Sequence, residues 1–393
     1  MQPELNIGLF GHVDHGKTTL CESITGTWTD THSIEVKRGI TIKLGYADFS
    51  IRKCESCNFY TTSEKCERCS GPTKFLRKIS FVDAPGHESL MTTAIASANI
   101  IDGAILVIAA NEPCPQPQTK EHLMVLETLN IKNIVIAQTK IDLVEKSQAL
   151  KNYEEIKKFL SGTIYEKTPI IPVSAFFKLN INYLLEAIEK NIPTPPRHLE
   201  KTPLMYIARS FDVNKPGTPV EKLLGGVVGG SLICGKFSVG DEIEISPPIV
   251  KNNKEIHLKS KINSLFSGKE KLEEAKPGGL IAIGTSLDPS LTRADSLVGH
   301  IVSTEEIKPV DEITFSYNLF DRVDFENEKF DMNEMLVICA GTAVNLSTIT
   351  NIKKDVLTVK LKRPMCVITN KIAILRKVGQ RWRLCGTGEV VME

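Results

Sequence analysis

No apolar run in the 393 residues approaches the roughly 20 needed to span a bilayer, and Met1-Gln2-Pro3-Glu4 lacks the basic-then-apolar build of a signal peptide. The expectation is therefore no membrane and a cytoplasmic location. A net charge of only +1 leaves no global basic field to recruit nucleic acid, so any such binding must use local patches. No internal repeat is evident. Ten cysteines in a reducing compartment are not a disulfide framework. What remains is an ordinary globular composition, 41% hydrophobic and 24% charged, in a chain long enough for two or three domains.

The chain is organised around Gly11-His12-Val13-Asp14-His15-Gly16-Lys17-Thr18-Thr19, which fits G-x-x-x-x-G-K-[ST], the phosphate-binding loop. Leu5 to Phe10 before it reads as a buried strand, and Thr19 to Gly26 after it starts a helix. Gly11 and Gly16 let the backbone approach phosphates, which the N–H groups of Asp14 to Thr19 and the helix N-terminus can hold. Lys17 supplies positive charge to the β- and γ-phosphates, and the Thr18 hydroxyl suits Mg²⁺. The strand Ile79 to Val82 ends in Asp83-Ala84-Pro85-Gly86-His87. Asp83 can hold Mg²⁺ through water, the Gly86 N–H can reach a γ-phosphate, and His87 stands where phosphate-loop hydrolases orient the attacking water. The bland alternative for His87 is a helix-start histidine without a chemical role. Thr41, in Lys37-Arg38-Gly39-Ile40-Thr41-Ile42, could bind Mg²⁺ only while a γ-phosphate is present; alone, it is also just a strand threonine.

Ile105 to Ala110 and Ile134 to Ala137 read as strands buried on both faces. The second runs into Thr139-Lys140-Ile141-Asp142. Asp142 can accept two hydrogen bonds from guanine, which adenine cannot offer, and the Lys140 stem can lie along the base. A last strand, Pro169 to Val173, leads to Ser174-Ala175-Phe176, where a backbone N–H can meet guanine O6. Helical stretches at Thr119 to Leu129, Tyr153 to Leu160 and Ile181 to Lys190 alternate with these strands, predicting an α/β phosphate-loop GTPase domain with a mostly parallel sheet. GTP and GDP are the expected substrate and product.

Cys54-Glu55-Ser56-Cys57 and Cys66-Glu67-Arg68-Cys69 are tandem C-x₂-C pairs. A redox pair or four unrelated thiols are the alternatives; the spacing favours four thiolates around a structural Zn²⁺, which would supply folding energy to a polar, turn-rich segment. Cys21, Cys114, Cys234, Cys339, Cys366 and Cys385 stand in apolar contexts and are expected in cores.

Asn191-Ile192-Pro193-Thr194-Pro195-Pro196-Arg197 is a proline-rich boundary. Beyond it, short strands with glycine turns (Met205 to Val213, Gly225 to Leu232, Glu242 to Ile245, Lys261 to Phe266, Gly279 to Gly284) predict a β-barrel. Glu312 to Tyr317, Met335 to Ala340, Val356 to Leu361 and Lys371 to Val378 predict another. The expected domains are 1–199, with a zinc knuckle at 54–69, then 202–310 and 311–393. Lys251-Asn252-Asn253-Lys254-Glu255 reads as a solvated loop. Lys353 to Arg383 holds ten Lys/Arg against one acid, Asp355. It is either solvated outer strand faces or a local RNA-binding surface.

The phosphate loop with Asp83-Ala84-Pro85-Gly86-His87 resembles the translation-factor branch of GTPases. That likeness assigns His87 the catalytic role, which a glutamine has in many other GTPases. The tandem cysteines before that motif, with Lys37 to Ala47, resemble the gamma-subunit family of archaeal and eukaryotic translation initiation factor 2. The resemblance covers essentially the whole chain. It implies Asp14 and the Gly39 carbonyl as further Mg²⁺ contacts beside Thr18, Thr41 and Asp83. It implies methionyl initiator tRNA, alpha and beta subunits and the small ribosomal subunit as partners, and tips the basic stretch toward tRNA. Thr139 departs from the family's usual asparagine, so guanine specificity should rest on Asp142. The rivals are a factor for elongator or selenocysteinyl-tRNA, a nucleotide-gated protein scaffold without RNA, and the GTPase subunit of a sulfate-activating enzyme.

Overall fold

The computed structural model describes residues 1–29, 44–87, 90–251, 254–322, 325 and 328–391. Gly39 and Thr41 lie outside the described residues. The chain divides into two compact units, Pro3–Pro195 and Pro196–Glu393 together with Met1–Gln2.

The first unit is a seven-stranded sheet with helices between its strands. β1 (Leu5–Phe10), β2 (Gly45–Cys54), β3 (Tyr60–Thr61), β4 (Thr73–Asp83), β5 (Gly103–Ala109), β6 (Ile134–Thr139) and β7 (Ile170–Pro172) stand in the order β3-β2-β4-β1-β5-β6-β7. The run from β4 to β7 is parallel. β1, β5 and β6 are buried at every position, as continuous apolar runs between two helical layers must be. β2 differs. It pairs antiparallel with β4 and alternates, turning Ala47, Phe49 and Ile51 into the core. The sheet is therefore mixed at this edge, because β2 returns to β4 through the short cysteine-bearing insertion rather than through a crossover helix.

The helices are α1 (Lys17–Thr25), α2 (Met91–Ala98), α3 (Pro117–Thr128), α4 (Lys146–Leu160) and α5 (Ile181–Asn191). α1 opens directly from the phosphate loop and stops at Gly26, whose φ of 71° suits glycine and whose N–H bonds the Glu22 carbonyl at 2.7 Å. Pro117 stands at the first position of α3, where its missing N–H costs nothing. α2 is not marked by periodicity: it is short, and its core face is largely alanine.

The second unit holds two closed six-stranded barrels. The first runs through β8 (Leu204–Phe211), β9 (Val227–Cys234), β10 (Glu242–Lys251), β11 (Lys254–Ser267), β12 (Ile281–Thr285) and β13 (Ile301–Ser303), closing where β10 meets β11. The second comprises β14 (Val310–Leu319), β15 (Met335–Ala340), β16 (Ala343–Lys353), β17 (Val356–Met365), β18 (Lys371–Val378) and β19 (Arg381–Val390). Each encloses its own apolar core, with Phe237, Ile245 and Leu265 in the first and Phe315, Ile338 and Ile374 in the second.

Two expectations need correction. Lys251 pairs Lys254 and Glu255 pairs Val250, so all three are strand residues, though exposed; Asn252 and Asn253 lie outside the described residues. Strand pairing satisfies their backbone without burying their side chains. Cys114 is only half-buried, with its N–H donating to the Glu155 carboxylate at 3.0 Å; the other five scattered cysteines are buried.

Candidate nucleotide site and cysteine centre

The phosphate loop lies at the C-terminal ends of β1, β4, β5 and β6, where open parallel sheets bind ligands. Gly11 has φ 144°, and a Cβ there would come 2.2 Å from the Val107 carbonyl oxygen, so only glycine fits. Gly16, at φ 86°, turns the chain into α1. Lys17 is buried and donates to the carbonyls of Gly11 at 3.0 Å and His12 at 2.8 Å. Its ammonium thus lies over the loop. Gly86 closes the other side: a Cβ there would come 2.5 Å from Lys17 Nζ and 3.0 Å from the Gly11 oxygen.

Asp83 is completely buried at the end of β4. One of its oxygens accepts from the Thr18 hydroxyl at 2.9 Å and from the Thr29 hydroxyl at 2.8 Å. This all-oxygen set, beside the phosphate loop, has the hard-donor chemistry that Mg²⁺ takes. His87 is half-buried at the start of the turn after Gly86, and its carbonyl accepts the Leu90 N–H at 2.9 Å.

At the other end of the site, Gly16, Thr19, Thr139, Lys140, Asp142, Leu143, Ala175, Phe176 and Phe177 line a mostly apolar cavity of about 430 Å³. Ser174 is buried beneath it; its hydroxyl accepts the Phe177 N–H at 3.3 Å. Asp142 is exposed at the rim, and Lys140 takes the left-handed conformation at φ 57°. Thr139 is buried, and its hydroxyl donates to the His15 carbonyl at 2.7 Å. The end of β6 and the phosphate loop are therefore tied directly.

Three buried side-chain contacts around the loop escape sequence reasoning, although His15 itself stands in the phosphate-loop motif. His122 of α3 accepts the Gly11 N–H on Nδ1 at 2.8 Å. Complete burial drives its pKa down to about 3, so the ring is neutral and able to accept. His15 turns its ring inward, Nδ1 to the Val107 carbonyl at 3.1 Å and Nε2 to Glu112 at 3.4 Å; burial lowers it to about 4. Thr29 is the third. Nothing in the local sequence marks these contacts, since each is made across more than 50 positions.

The cysteines form a separate centre. Cys54 ends β2, and two equivalent knuckles follow. Asn58 bonds the Cys54 carbonyl at 3.0 Å while Cys54 bonds that of Phe59 at 2.8 Å; Ser70 bonds the Cys66 carbonyl at 2.8 Å while Cys66 bonds that of Gly71 at 2.9 Å. Asn58 and Ser70, at φ 56° and 58°, make the same left-handed turn. The sulfur pairs Cys54–Cys69, Cys57–Cys66 and Cys57–Cys69 lie 3.4, 3.6 and 3.6 Å apart. A tetrahedron with Zn–S bonds of about 2.3 Å has edges of about 3.8 Å, so the four sulfurs fit zinc with a slight expansion. The Cys57 N–H, among other donors, holds the Cys54 thiol down at about 6, while burial pushes the Cys57 thiol up to about 12, so a metal would have to displace that proton to bind.

Residues 2–194 match the family described as the Elongation factor Tu GTP binding domain, and residues 311–390 match Initiation factor eIF2 gamma, C terminal. The chain is 53% identical to translation initiation factor 2 subunit gamma of Methanocaldococcus jannaschii, over 99% of this chain and 98% of that one. It is 52% identical to the same subunit of Pyrococcus horikoshii, over 98% and 97%. The chain belongs to the gamma-subunit family of translation initiation factor 2. As a member, it is a translational GTPase of initiation, and the family implies GTP, GDP and Mg²⁺. Among solved structures, a bacterial selenocysteine-specific elongation factor superposes with TM-score 0.77 over 99% of this chain and 58% of that one, at 24% identity. The elongation factor SelB of Methanococcus maripaludis, with a GTP analogue, gives 0.74 at 22% identity. These two share the gamma-subunit fold. No helix among the described residues is long and apolar enough to cross a membrane.

Proposed function

We propose that this GTPase carries methionyl initiator tRNA to the small ribosomal subunit, in company with alpha and beta subunits, and releases it on GTP hydrolysis. The observation that carries the reading is the full-length likeness to initiation factor gamma subunits. In this reading Asp14 to Thr19 and the Gly86 N–H hold the phosphates. Lys17 exchanges the two loop carbonyls for phosphate oxygens, a rotation of a side chain already in the loop. Asp142 takes the guanine edge, with Lys140, Ala175 and Phe176 beside the base and Ser174 beneath. His87 orients the attacking water.

Thr18 and Asp83 would hold Mg²⁺, with Thr41, Asp14 and the Gly39 carbonyl as the contacts the family likeness suggests. Mg²⁺ neutralises charge on the β- and γ-phosphates when bound. Cys54, Cys57, Cys66 and Cys69 would hold a structural Zn²⁺. No residue assigned here is an arginine at the γ-phosphate, so intrinsic hydrolysis should stay below about 1 s⁻¹. His87→Ala should slow it a further ~10²-fold while leaving GTP binding unchanged.

The test is a gel shift of labelled initiator tRNA with a GTP analogue or with GDP, alone and against elongator and selenocysteinyl-tRNA. A shift that needs the GTP analogue and prefers initiator tRNA is expected. The absence of any nucleotide-dependent shift would sink the proposal in favour of a protein scaffold. Preference for another tRNA would move it to the elongation class.

A further inference from the structure

The outer wall of the first barrel carries a second set of metal-ligating atoms, apart from both the nucleotide site and the thiolates. Along β10, Ile243 and Ile245 face the core, which puts Glu244 on the outer face. An outer-face glutamate is normally solvated, yet Glu244 is only 7% exposed. Its neighbours are His257 and Lys259 of β11 and Glu306, three residues beyond the end of β13.

His257 Nδ1 lies 3.4 Å from Glu244 Oε1 and 3.8 Å from Glu306 Oε1. Lys259 Nζ lies 3.4 Å from the other Glu244 oxygen. Two carboxylates thus approach the same ring nitrogen, which has at most one proton to give, and Lys259 pairs with Glu244 alone of the two. The three ligand atoms all lie within 4.8 Å of one another. A point equidistant from three such atoms is roughly 2.1–2.4 Å from each, near the length of a bond from a first-row divalent ion to nitrogen or carboxylate oxygen.

We propose that Glu244, His257 and Glu306 bind one divalent transition-metal ion, of the Zn²⁺ or Ni²⁺ class, with water completing its coordination. The imidazole selects against Mg²⁺ and Ca²⁺, which take oxygen ligands. Glu306 lies in the connector between Ser303, the last residue of the first barrel, and Val310, the first of the second. A bound ion fastens that connector to the barrel wall through two strands. Half of each of His257 and Glu306 is exposed, so the site is open to exchange and weaker than the thiolate centre.

The experiment is calorimetric titration of Ni²⁺ into the full chain. The protein is first loaded with one equivalent of Zn²⁺ and kept nucleotide-free in excess Mg²⁺, and a chromophoric chelator reports any zinc released. Wild type is expected to bind one Ni²⁺ without releasing zinc and to melt at a higher temperature with Ni²⁺ present. Glu306→Gln should weaken that binding at least ~10-fold, and His257→Ala should abolish it together with the thermal shift. Unchanged circular dichroism and GDP binding would show both variants folded, and Glu306→Gln, an exposed change, suffices if His257→Ala does not fold. Equal Ni²⁺ stoichiometry and affinity in wild type and variants would overturn the proposal and leave the cluster an ordinary ion pair.

Discussion

The Thr139 hydroxyl donates to the His15 carbonyl at 2.7 Å, with both groups buried. Where the family's usual asparagine spans loop and base, threonine makes the loop contact with a shorter arm. Thr139→Val keeps the shape and removes the donor. GTP and GDP affinity should fall together by ~3–10-fold, the worth of one net hydrogen bond. Selectivity against ATP should not change. Titration of the variant with fluorescent nucleotides checks both points.

Asp142 lines the apolar cavity beside Ala175 and Phe176 and is exposed. Asp142→Ala should cost on the order of 10³-fold or more in GTP affinity. It should also abolish the preference of GTP over ITP, whose base lacks the 2-amino group. A variant that still prefers GTP would place guanine recognition elsewhere.

The knuckles have few apolar side chains to hold residues 54–72 together, and a Zn²⁺ on the four thiolates would do so. Chelation under mild denaturant should release one tightly held zinc per chain and free four thiols. Hydrogen exchange should then accelerate across 54–72 and leave the core strands β1 and β5 protected. Cys66→Ser should give the same exchange pattern without chelator.

His122 binds the Gly11 N–H with a neutral ring. His122→Ala leaves that buried donor unsatisfied and should destabilise the first unit by ~1–3 kcal/mol. The sign with pH follows from its lowered pKa. Between the ordinary value of 6.5 and about 3, the unfolded chain binds a proton that the folded chain refuses. Stability from this group is complete above pH 6.5 and is lost as pH falls toward 3. Denaturant midpoints at pH 7 and pH 4.5 should therefore differ less in His122→Gln, which cannot titrate, than in wild type.

The basic stretch of the second barrel divides into paired and exposed side chains. Arg376 is committed to Glu334 at 2.6 and 3.0 Å and lies 4.5 Å from the Phe330 ring centroid. Lys360 and Lys362 are exposed on β17, on the face opposite buried Val359 and Leu361. Lys360→Ala with Lys362→Ala should weaken tRNA binding and lower its salt slope by about 2 without lowering the melting temperature. Arg376→Ala should lower the melting temperature instead.

How much was legible depended on the range of the interaction. β1, β5, β6, β15 and β18 could be read nearly to the residue, because a continuous or alternating apolar run is a local signal. β16 and β19 were not read: their alternation is interrupted by Asn, Gly and Thr, and only the ring of neighbours buries them. β2 was hidden for a related reason, since its antiparallel partner lies beyond the cysteine insertion.

The sequence by itself determined which residues could carry the chemistry: a glycine-bracketed lysine and threonine, a strand-end aspartate, an aspartate just past β6 and two cysteine pairs. These are short-range patterns in which spacing alone dictates what the residues can hold. Only the tertiary structure decided what supports them. It set His122 under Gly11, Thr139 against His15 and Thr29 on Asp83. Each of these contacts joins residues far apart in the chain, and burial makes each one matter: a buried polar group must find its partner wherever the fold brings one.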